Sequence, residues 1–183
     1  MGVKYKGNSI FDYGDLAVAS FHGTKVITTF EGGAIVSRSK EMKIKIDQLK
    51  NFSILDEEKI TGVGINGKMN EVEAAMGLLQ FKYFGQLIKK RKAIYQKYDS
   101  HIKNIKGLKL FLIPKTIEYN YAFAPVFFAA GKNYRDEMYL KMRENNILCR
   151  KYWYPLITEH NVYKNSVTSD LTNAKKNSES VLC

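Results

Sequence analysis

Apolar and polar positions change their period along the chain, and each change marks a predicted element. Leu16–Phe21 and Gly33–Ser37 are short apolar runs, which are typical of buried strands. The polar, threonine-rich segment between them predicts a loop at the strand ends, where α/β proteins keep reactive side chains. Lys40–Phe52 has apolar positions at helical spacing, so it predicts a helix.

The longest periodic stretch begins after Asn70. Asn70 and Glu73 have the spacing of a helix capping box. Apolar residues then recur about every 3.6 residues as far as Ile105, as expected for one long helix. Gly85 is a candidate break in this helix, and Gly107 is its expected stop.

After Gly107 the apolar runs become short again. They predict two strands, a helix and an extended segment, in the order Leu108–Ile113, Tyr121–Phe128, Tyr134–Asn145 and Ile147–Tyr154. This order predicts a small α+β layer at the C-terminal end of the chain. The tail from Ser166 to Ser180 is polar, and the last three residues, Val181–Cys183, are apolar.

Composition and charge are those of a globular protein. Of the 183 residues, 45% are apolar, and 29 basic against 18 acidic residues give a net charge of +11. Nine basic residues and one acid, Asp99, lie between Lys82 and Lys109. Because the apolar spacing here is helical and no aromatic–basic motif accompanies it, a solvated helix face is favoured over a nucleic-acid interface. Nucleic-acid binding stays an alternative.

The sequence lacks the residues that characterise several classes of protein. Cys149 and Cys183 can form no disulfide framework and have no metal-ligand spacing, which fits a reducing cytosol. His22, His101 and His160 are scattered, so no metal triad is visible. No run approaches the roughly 18 apolar residues of a membrane span, and no apolar signal segment opens the chain. We therefore expect a cytoplasmic protein without a metal site or a membrane span.

A glycine pattern at Gly62–Gly67 matches G-x-G-x-x-G, the dinucleotide-binding fingerprint. A lone match is weak evidence. No convincing strand precedes it, and the region about 20 residues further on is basic where a ribose-binding acid is needed. Dinucleotide binding is therefore disfavoured.

One cluster of polar residues offers a different chemistry. Ser20–Lys25 is followed by Glu31–Gly33. A lysine that is partly desolvated at a strand end is a nucleophile toward an aldehyde, and pyridoxal phosphate is an aldehyde cofactor that bonds to such a lysine. The hydroxyl of Ser20 could bind the cofactor phosphate. The glycines would let the backbone turn sharply back into the sheet.

The segment from Ser20 to Ser37 resembles the lysine segment of the sugar-nucleotide aminotransferases of the DegT/DnrJ/EryC family. Gly64–Gly77 and Arg150–Leu156 resemble two further segments of that family, in the same order. The resemblance implies a homodimer with the α/β, fold-type I transferase architecture. In this chain the resemblance implies three parts. Residues 1–68 would form a partial large-domain sheet, residues 69–106 a long helix, and residues 107–183 a small C-terminal α+β domain.

Carried over to this sequence, the resemblance implies roles for the matching residues. Lys25 would bond to pyridoxal phosphate and then move a proton between substrate and cofactor. Ser20 would bind the cofactor phosphate, and Asn66 would reach the phosphate region of the neighbouring subunit's site. Lys68 stands where the family commonly has an arginine. Glu31–Gly33 matches the turn and is expected to be structural.

The resemblance also implies a substrate side. His22 is expected either near the substrate or in packing, and Arg150, Tyr152 and Tyr154 lie in the matching substrate-side segment. The implied reaction aminates a nucleotide-linked keto-sugar, with a dTDP-4-keto-6-deoxyhexose favoured over a 3-keto-sugar and an amino acid as donor. Products of such enzymes enter surface polysaccharide, including lipopolysaccharide O-antigen, or antibiotic sugars.

Members of the resembled family are longer than this chain. Their N-terminal part carries most of the large-domain sheet and the aspartate that binds the pyridine nitrogen, so we expect an internal fragment with little transaminase activity alone. Its two predicted strands would then expose their edges. The alternatives are a non-catalytic remnant or partner subunit, a basic nucleic-acid-binding domain, and a dehydrogenase or sugar dehydratase that shares the fold. Lys25 argues against the dehydratase, because those relatives carry histidine there.

Overall fold

The computed structural model describes residues 1–183 as a mixed α/β chain. Its strands β1 to β8 are Lys4–Tyr5, Asn8–Ser9, Leu16–Ser20, Gly33–Ser37, Leu108–Leu110, Ile117–Glu118, Val126–Phe128 and Val181–Leu182. Its helices α1 to α4 are Lys40–Leu49, Glu71–Ile102, Lys132–Glu144 and Thr172–Ser180. Contacts divide the chain into a first unit, residues 1–91 with 114–122, and a second unit, residues 92–113 with 123–183.

In the first unit, β3 and β4 form an antiparallel pair in which Ser20 lies opposite Gly33. Both predicted strands are confirmed, but their predicted burial is wrong, since Val18 is 76% exposed. The reason is that successive side chains of a strand point to opposite faces of the sheet, and the face that carries Val18 is left uncovered. Ala19 lies on the other face, in the core cluster with Phe21 and Ile27.

The helix predicted after β4 is confirmed as α1. It begins at a serine cap, because Ser39 Oγ accepts a hydrogen bond from Met42 N at 3.1 Å. It ends at Leu49, earlier than predicted. Phe52 and Ser53 have positive φ angles of 58° and 57°, which no right-handed helix contains.

A close approach of two backbones accounts for the glycine pattern at 62–67. A Cβ atom on Gly64 would lie 2.3 Å from Ser53 N and 2.8 Å from Leu49 O. Because both neighbours are backbone atoms, no side-chain movement could relieve the clash. The G-x-G-x-x-G match therefore has a packing explanation.

The long predicted helix is confirmed as α2. Asn70 Oδ1 accepts a hydrogen bond from Glu73 N at 2.9 Å and caps it. The helix runs for 32 residues, and the break expected at Gly85 is wrong. A lone glycine destabilises a helix by only about 1 kcal/mol, which the hydrogen bonds of the neighbouring turns outweigh. α2 ends at Ile102, before the predicted stop. No helix combines the length and the apolar character that a membrane crossing needs.

In the second unit, β5, β7 and β8 form an antiparallel sheet that α3 and α4 accompany. The expected α+β layer is thus confirmed. The strand predicted over Tyr121–Phe128 is confirmed only at Val126–Phe128. The structure also contains α4 in the polar tail and β8 directly after it. The extended segment Ile147–Tyr154 forms no strand. Instead, Arg150 exchanges two backbone hydrogen bonds with Cys183, at 2.7 and 2.9 Å.

Candidate active site around Lys25

Lys25 lies on a tight turn that follows β3. Its backbone N–H donates a hydrogen bond to His22 O at 2.9 Å. The Lys25 side chain is exposed, whereas the next two residues, Val26 and Ile27, are only 8% and 1% exposed. The turn therefore presents a solvent-accessible amine on a backbone that the core holds in place.

Backbone hydrogen bonds close the base of the loop that carries Lys25. Phe21 N donates to Gly32 O and Thr29 N donates to Phe21 O, both at 2.9 Å. The buried Thr29 hydroxyl donates to Glu31 O. Gly32 has a φ of +131°, and a Cβ atom there would lie 2.6 Å from Thr29 Oγ1. Glycine at this position therefore permits the sharp return into β4.

Polar groups of this loop and of the end of β3 contact one another. Ser20 Oγ accepts a hydrogen bond from His22 N at 3.4 Å. His22 Nδ1 lies 3.0 Å from Thr24 Oγ1, and its Nε2 lies 3.6 Å from a carboxylate oxygen of Glu31. The structure thus brings Ser20, His22 and Lys25 into one loop. It adds Thr24, whose signal in the sequence is a hydroxyl directly before the lysine.

The donor set of this loop fits pyridoxal phosphate, which carries an aldehyde and a phosphate. Lys25 offers a free primary amine, and Ser20 and Thr24 offer hydroxyls. One cation and two hydroxyls are suited to an anionic phosphate.

Asn66 is not joined to the Lys25 loop by any hydrogen bond or ion pair. Its side chain is exposed, and its backbone pairs with Asn51 after α1. The Nζ of Lys68 donates to Asn51 Oδ1 at 2.5 Å and lies 4.9 Å from the centre of the Phe52 ring. These contacts give Lys68 a local structural role.

Arg150, Tyr152 and Tyr154 belong to the second unit. The rings of Tyr152 and Trp153 stack at 4.3 Å between centroids. The Tyr154 ring lies 4.8 Å from the guanidinium carbon of Arg135. Burial and then the negative charge at Cys183 raise the pKa of Tyr152, so its hydroxyl stays protonated and can donate a hydrogen bond.

An acid that sequence reasoning missed lies beneath this segment. Asp136 contacts three cations, Lys132 at 2.9 Å, Arg135 at 2.8 Å and Lys151 at 2.7 Å. Partial burial disfavours its charge, but hydrogen bonds from Lys151 and Lys132 and the charge of Arg135 lower its pKa to about 2. The adjacent pair Arg135–Asp136 is visible in the sequence, but its contact with Lys151 depends on the fold.

Comparisons with known proteins give a consistent result. The model of the DegT/DnrJ/EryC1/StrS aminotransferase family matches residues 1–183. A dTDP-4-amino-4,6-dideoxy-D-glucose transaminase of Shigella dysenteriae is 40% identical over the whole chain and 50% of its own length. The Escherichia coli transaminase of the same description is 38% identical, with the same coverage.

A solved structure agrees with these relatives. The crystal structure of DesI with its TDP-sugar product superposes with a TM-score of 0.89 at 25% identity. It covers 99% of this chain, which in turn covers 47% of DesI. The chain therefore spans about half the length of the curated relatives it matches. With a family model that matches every residue, this chain belongs to the DegT/DnrJ/EryC1/StrS aminotransferase family.

Proposed function

We propose that this chain is the lysine-bearing part of a pyridoxal-phosphate-dependent aminotransferase that acts on a nucleotide-linked keto-sugar. The observation that carries the proposal is the exposed Lys25 amine on a turn anchored by the buried Val26 and Ile27. Two relatives are dTDP-4-amino-4,6-dideoxy-D-glucose transaminases, so a dTDP-4-keto-6-deoxyhexose is the proposed acceptor. An amino acid is the proposed donor.

Each residue of the loop has a proposed task. Lys25 would hold the cofactor through its Nζ amine and would hold and return a proton at that nitrogen during the amino transfer. The bound cofactor supplies an electron sink for that transfer. Ser20 and Thr24 orient the phosphate through their hydroxyls. His22, held by Thr24 and Glu31, lines the same loop.

Other parts of the proposal rest on the resemblance alone. Asn66 is proposed to reach the neighbouring subunit's phosphate region, which requires the homodimer expected of the family. Arg150, Tyr152 and Tyr154 are proposed on the substrate side. The proposed setting is the cytoplasm, and the proposed product is an amino sugar for surface polysaccharide such as lipopolysaccharide.

Reductive trapping tests the role of Lys25. The purified chain is mixed with pyridoxal phosphate, reduced with borohydride and digested, and the modified lysine is mapped by mass spectrometry. We expect about one label per chain, at Lys25, since the loop combines an accessible amine with phosphate donors. Ser20→Ala should raise the cofactor concentration needed for half-maximal labelling about tenfold.

Two variants control this experiment. Lys25→Ala should abolish the selective label, whereas Lys40→Ala, which removes an exposed lysine outside the loop, should leave it intact. Labels spread evenly over many lysines, unchanged in Lys25→Ala, would instead favour the non-catalytic remnant or partner subunit.

A further inference from the structure

The segment from Arg150 to Tyr154, here called the aromatic segment, is fixed at both ends and in between. Arg150 is paired through its backbone with Cys183. Lys151 Nζ is held by Asp136 at 2.7 Å. At the far end, the Tyr154 ring lies on the guanidinium of Arg135, with 4.8 Å between Cζ and the ring centre.

Arg135 and Asp136 are themselves firmly placed. The Arg135 side chain is fully buried, and its Nη1 donates to Ser178 O at 2.7 Å and to Val181 O at 3.2 Å. Its Nη2 is buried without a hydrogen-bond partner, so the face of the Tyr154 ring is a favourable neighbour for this cation. Arg135 therefore joins α3 to the backbone of Ser178 and Val181 and supports the Tyr154 ring at the same time.

Between the fixed ends of the aromatic segment lie two aromatic rings, those of Tyr152 and Trp153. Trp153 is 65% exposed and stacks on Tyr152 with an angle of 28° between the ring planes. Tyr152 is packed in turn on Phe123, at 4.8 Å between centroids. A large, exposed ring that is held rigid from behind loses little entropy when a flat ligand stacks on it.

The charge around these rings selects the class of ligand. Lys132, Arg135 and Lys151 surround the acid Asp136, and Arg150 is a fourth basic residue that makes no ion pair with it. Arg150 is exposed next to the rings, where its guanidinium can pair with phosphate oxygens. A flat ring joined to an anion is the chemistry of a nucleoside diphosphate.

We propose that Trp153 stacks on the base of a nucleoside diphosphate and that Asp136 and Arg135 are positioning residues that hold the aromatic segment for this contact. The proposal rests on the proposed function, because it assigns a place to the nucleotide part of that substrate. Base stacking on an aromatic side chain typically contributes a factor of about 10 to 100 in affinity.

The sole tryptophan of the chain makes the test direct. Emission of Trp153 is recorded while dTDP, thymidine or inorganic pyrophosphate is added to the full chain. We expect dTDP to quench it with the lowest dissociation constant, thymidine to quench it more weakly, and pyrophosphate to leave it unchanged. Absence of quenching by both dTDP and thymidine would overturn the stacking contact.

Matched variants test the positioning residues. Asp136→Asn removes the acid that holds Lys151, and Glu137→Gln removes the next acid on α3, which pairs with Lys141 at the same 2.7 Å. We expect Asp136→Asn to weaken dTDP binding about tenfold and to increase acrylamide quenching of Trp153, and Asp136→Glu to restore part of both. Glu137→Gln should change neither.

Folding and function are separated by further measurements. Helix content by circular dichroism identifies misfolding, and Lys151→Gln breaks the same ion pair from the aromatic segment if Asp136→Asn does not fold. A folded variant of either kind with wild-type dTDP affinity and Trp153 quenching would overturn the positioning role.

Trapping at Lys25 is measured on the same samples. Labelling at Lys25 without dTDP binding would refute this inference alone, and dTDP binding without labelling would refute the proposed function alone.

Discussion

At the scale of single residues, the charge of Asp136 has the clearest energetic consequence. Its pKa is lowered from 3.8 to about 2, despite partial burial, by Lys151, Lys132 and Arg135. A carboxyl with a lowered pKa in the folded state stabilises that state above its unfolded pKa, and the contribution disappears as the pH falls toward the folded pKa. The ion cluster should therefore be intact at neutral pH and weaken between pH 3.8 and about pH 2.

Unfolding by urea at pH 5 and pH 2.5, followed through Trp153 emission, measures this contribution. The pKa difference corresponds to roughly 2 kcal/mol of unfolding free energy. We expect the wild-type chain to lose about that much more than Asp136→Asn between the two pH values, because both share every other carboxyl group. An equal loss in the two proteins would show that Asp136 is not held by its three cations.

The residues around Lys25 and the residues around Asp136 differ in how well the sequence alone predicts that they meet. Ser20, His22 and Lys25 lie within six positions of one another, so a local pattern brings them together whatever the rest of the chain does. Asp136 reaches Lys151 only because α3 packs beside the aromatic segment. A contact of that kind depends on tertiary packing, which periodicity does not encode.

At the scale of elements, two glycines with opposite environments give a matched pair. A Cβ atom on Gly64 would lie 2.3 Å from Ser53 N, whereas one on Gly85 would meet no atom within 4 Å. We expect Gly64→Ala to lower the free energy of unfolding by about 1–3 kcal/mol, as overpacking does. Gly85→Ala should raise it by about 0.5–1 kcal/mol, because alanine is the better helix former.

Circular dichroism during urea unfolding compares these two variants with the wild-type chain. Both substitutions add one methyl group in the first unit, so a general effect of added volume would move the two midpoints in the same direction. Midpoints that move in opposite directions would confirm the close backbone approach at Gly64. A neutral Gly64→Ala would contradict it.

The elements also show why some predictions succeed. Caps are local, so Asn70 and its hydrogen bond to Glu73 N could be predicted from spacing. The bounds of β4 are as predicted for the same reason, since its glycine and its alternation are local. The burial of β3 is not local. Val18 is exposed because nothing packs on its face of the sheet, and no property of Leu16–Phe21 reveals what packs on that face.

At the scale of the whole molecule, a high net charge coexists with exposed apolar surface. The formal charge is +11 at pH 7, and the stretch from Lys82 to Lys109, which includes most of α2, holds nine basic residues and one acid. Val72, Leu79 and Tyr83 lie on one face of the same helix, seven and four residues apart, and are 74%, 51% and 43% exposed. Charge repulsion keeps copies of the chain apart, and apolar contact favours their association.

Salt separates these two forces. The screening length falls from about 10 Å at 0.1 M to about 3 Å at 1 M, which weakens repulsion and leaves apolar contact intact. We expect sedimentation velocity to show a larger associated fraction at higher salt. Leu79→Lys should reduce it by adding charge to the exposed face, and Gln96→Lys, with the same charge elsewhere on α2, should reduce it less. If the associated fraction instead falls with salt, ion pairs between the copies hold them together. Since the net charge is +11, such pairs would need a locally acidic patch on the surface.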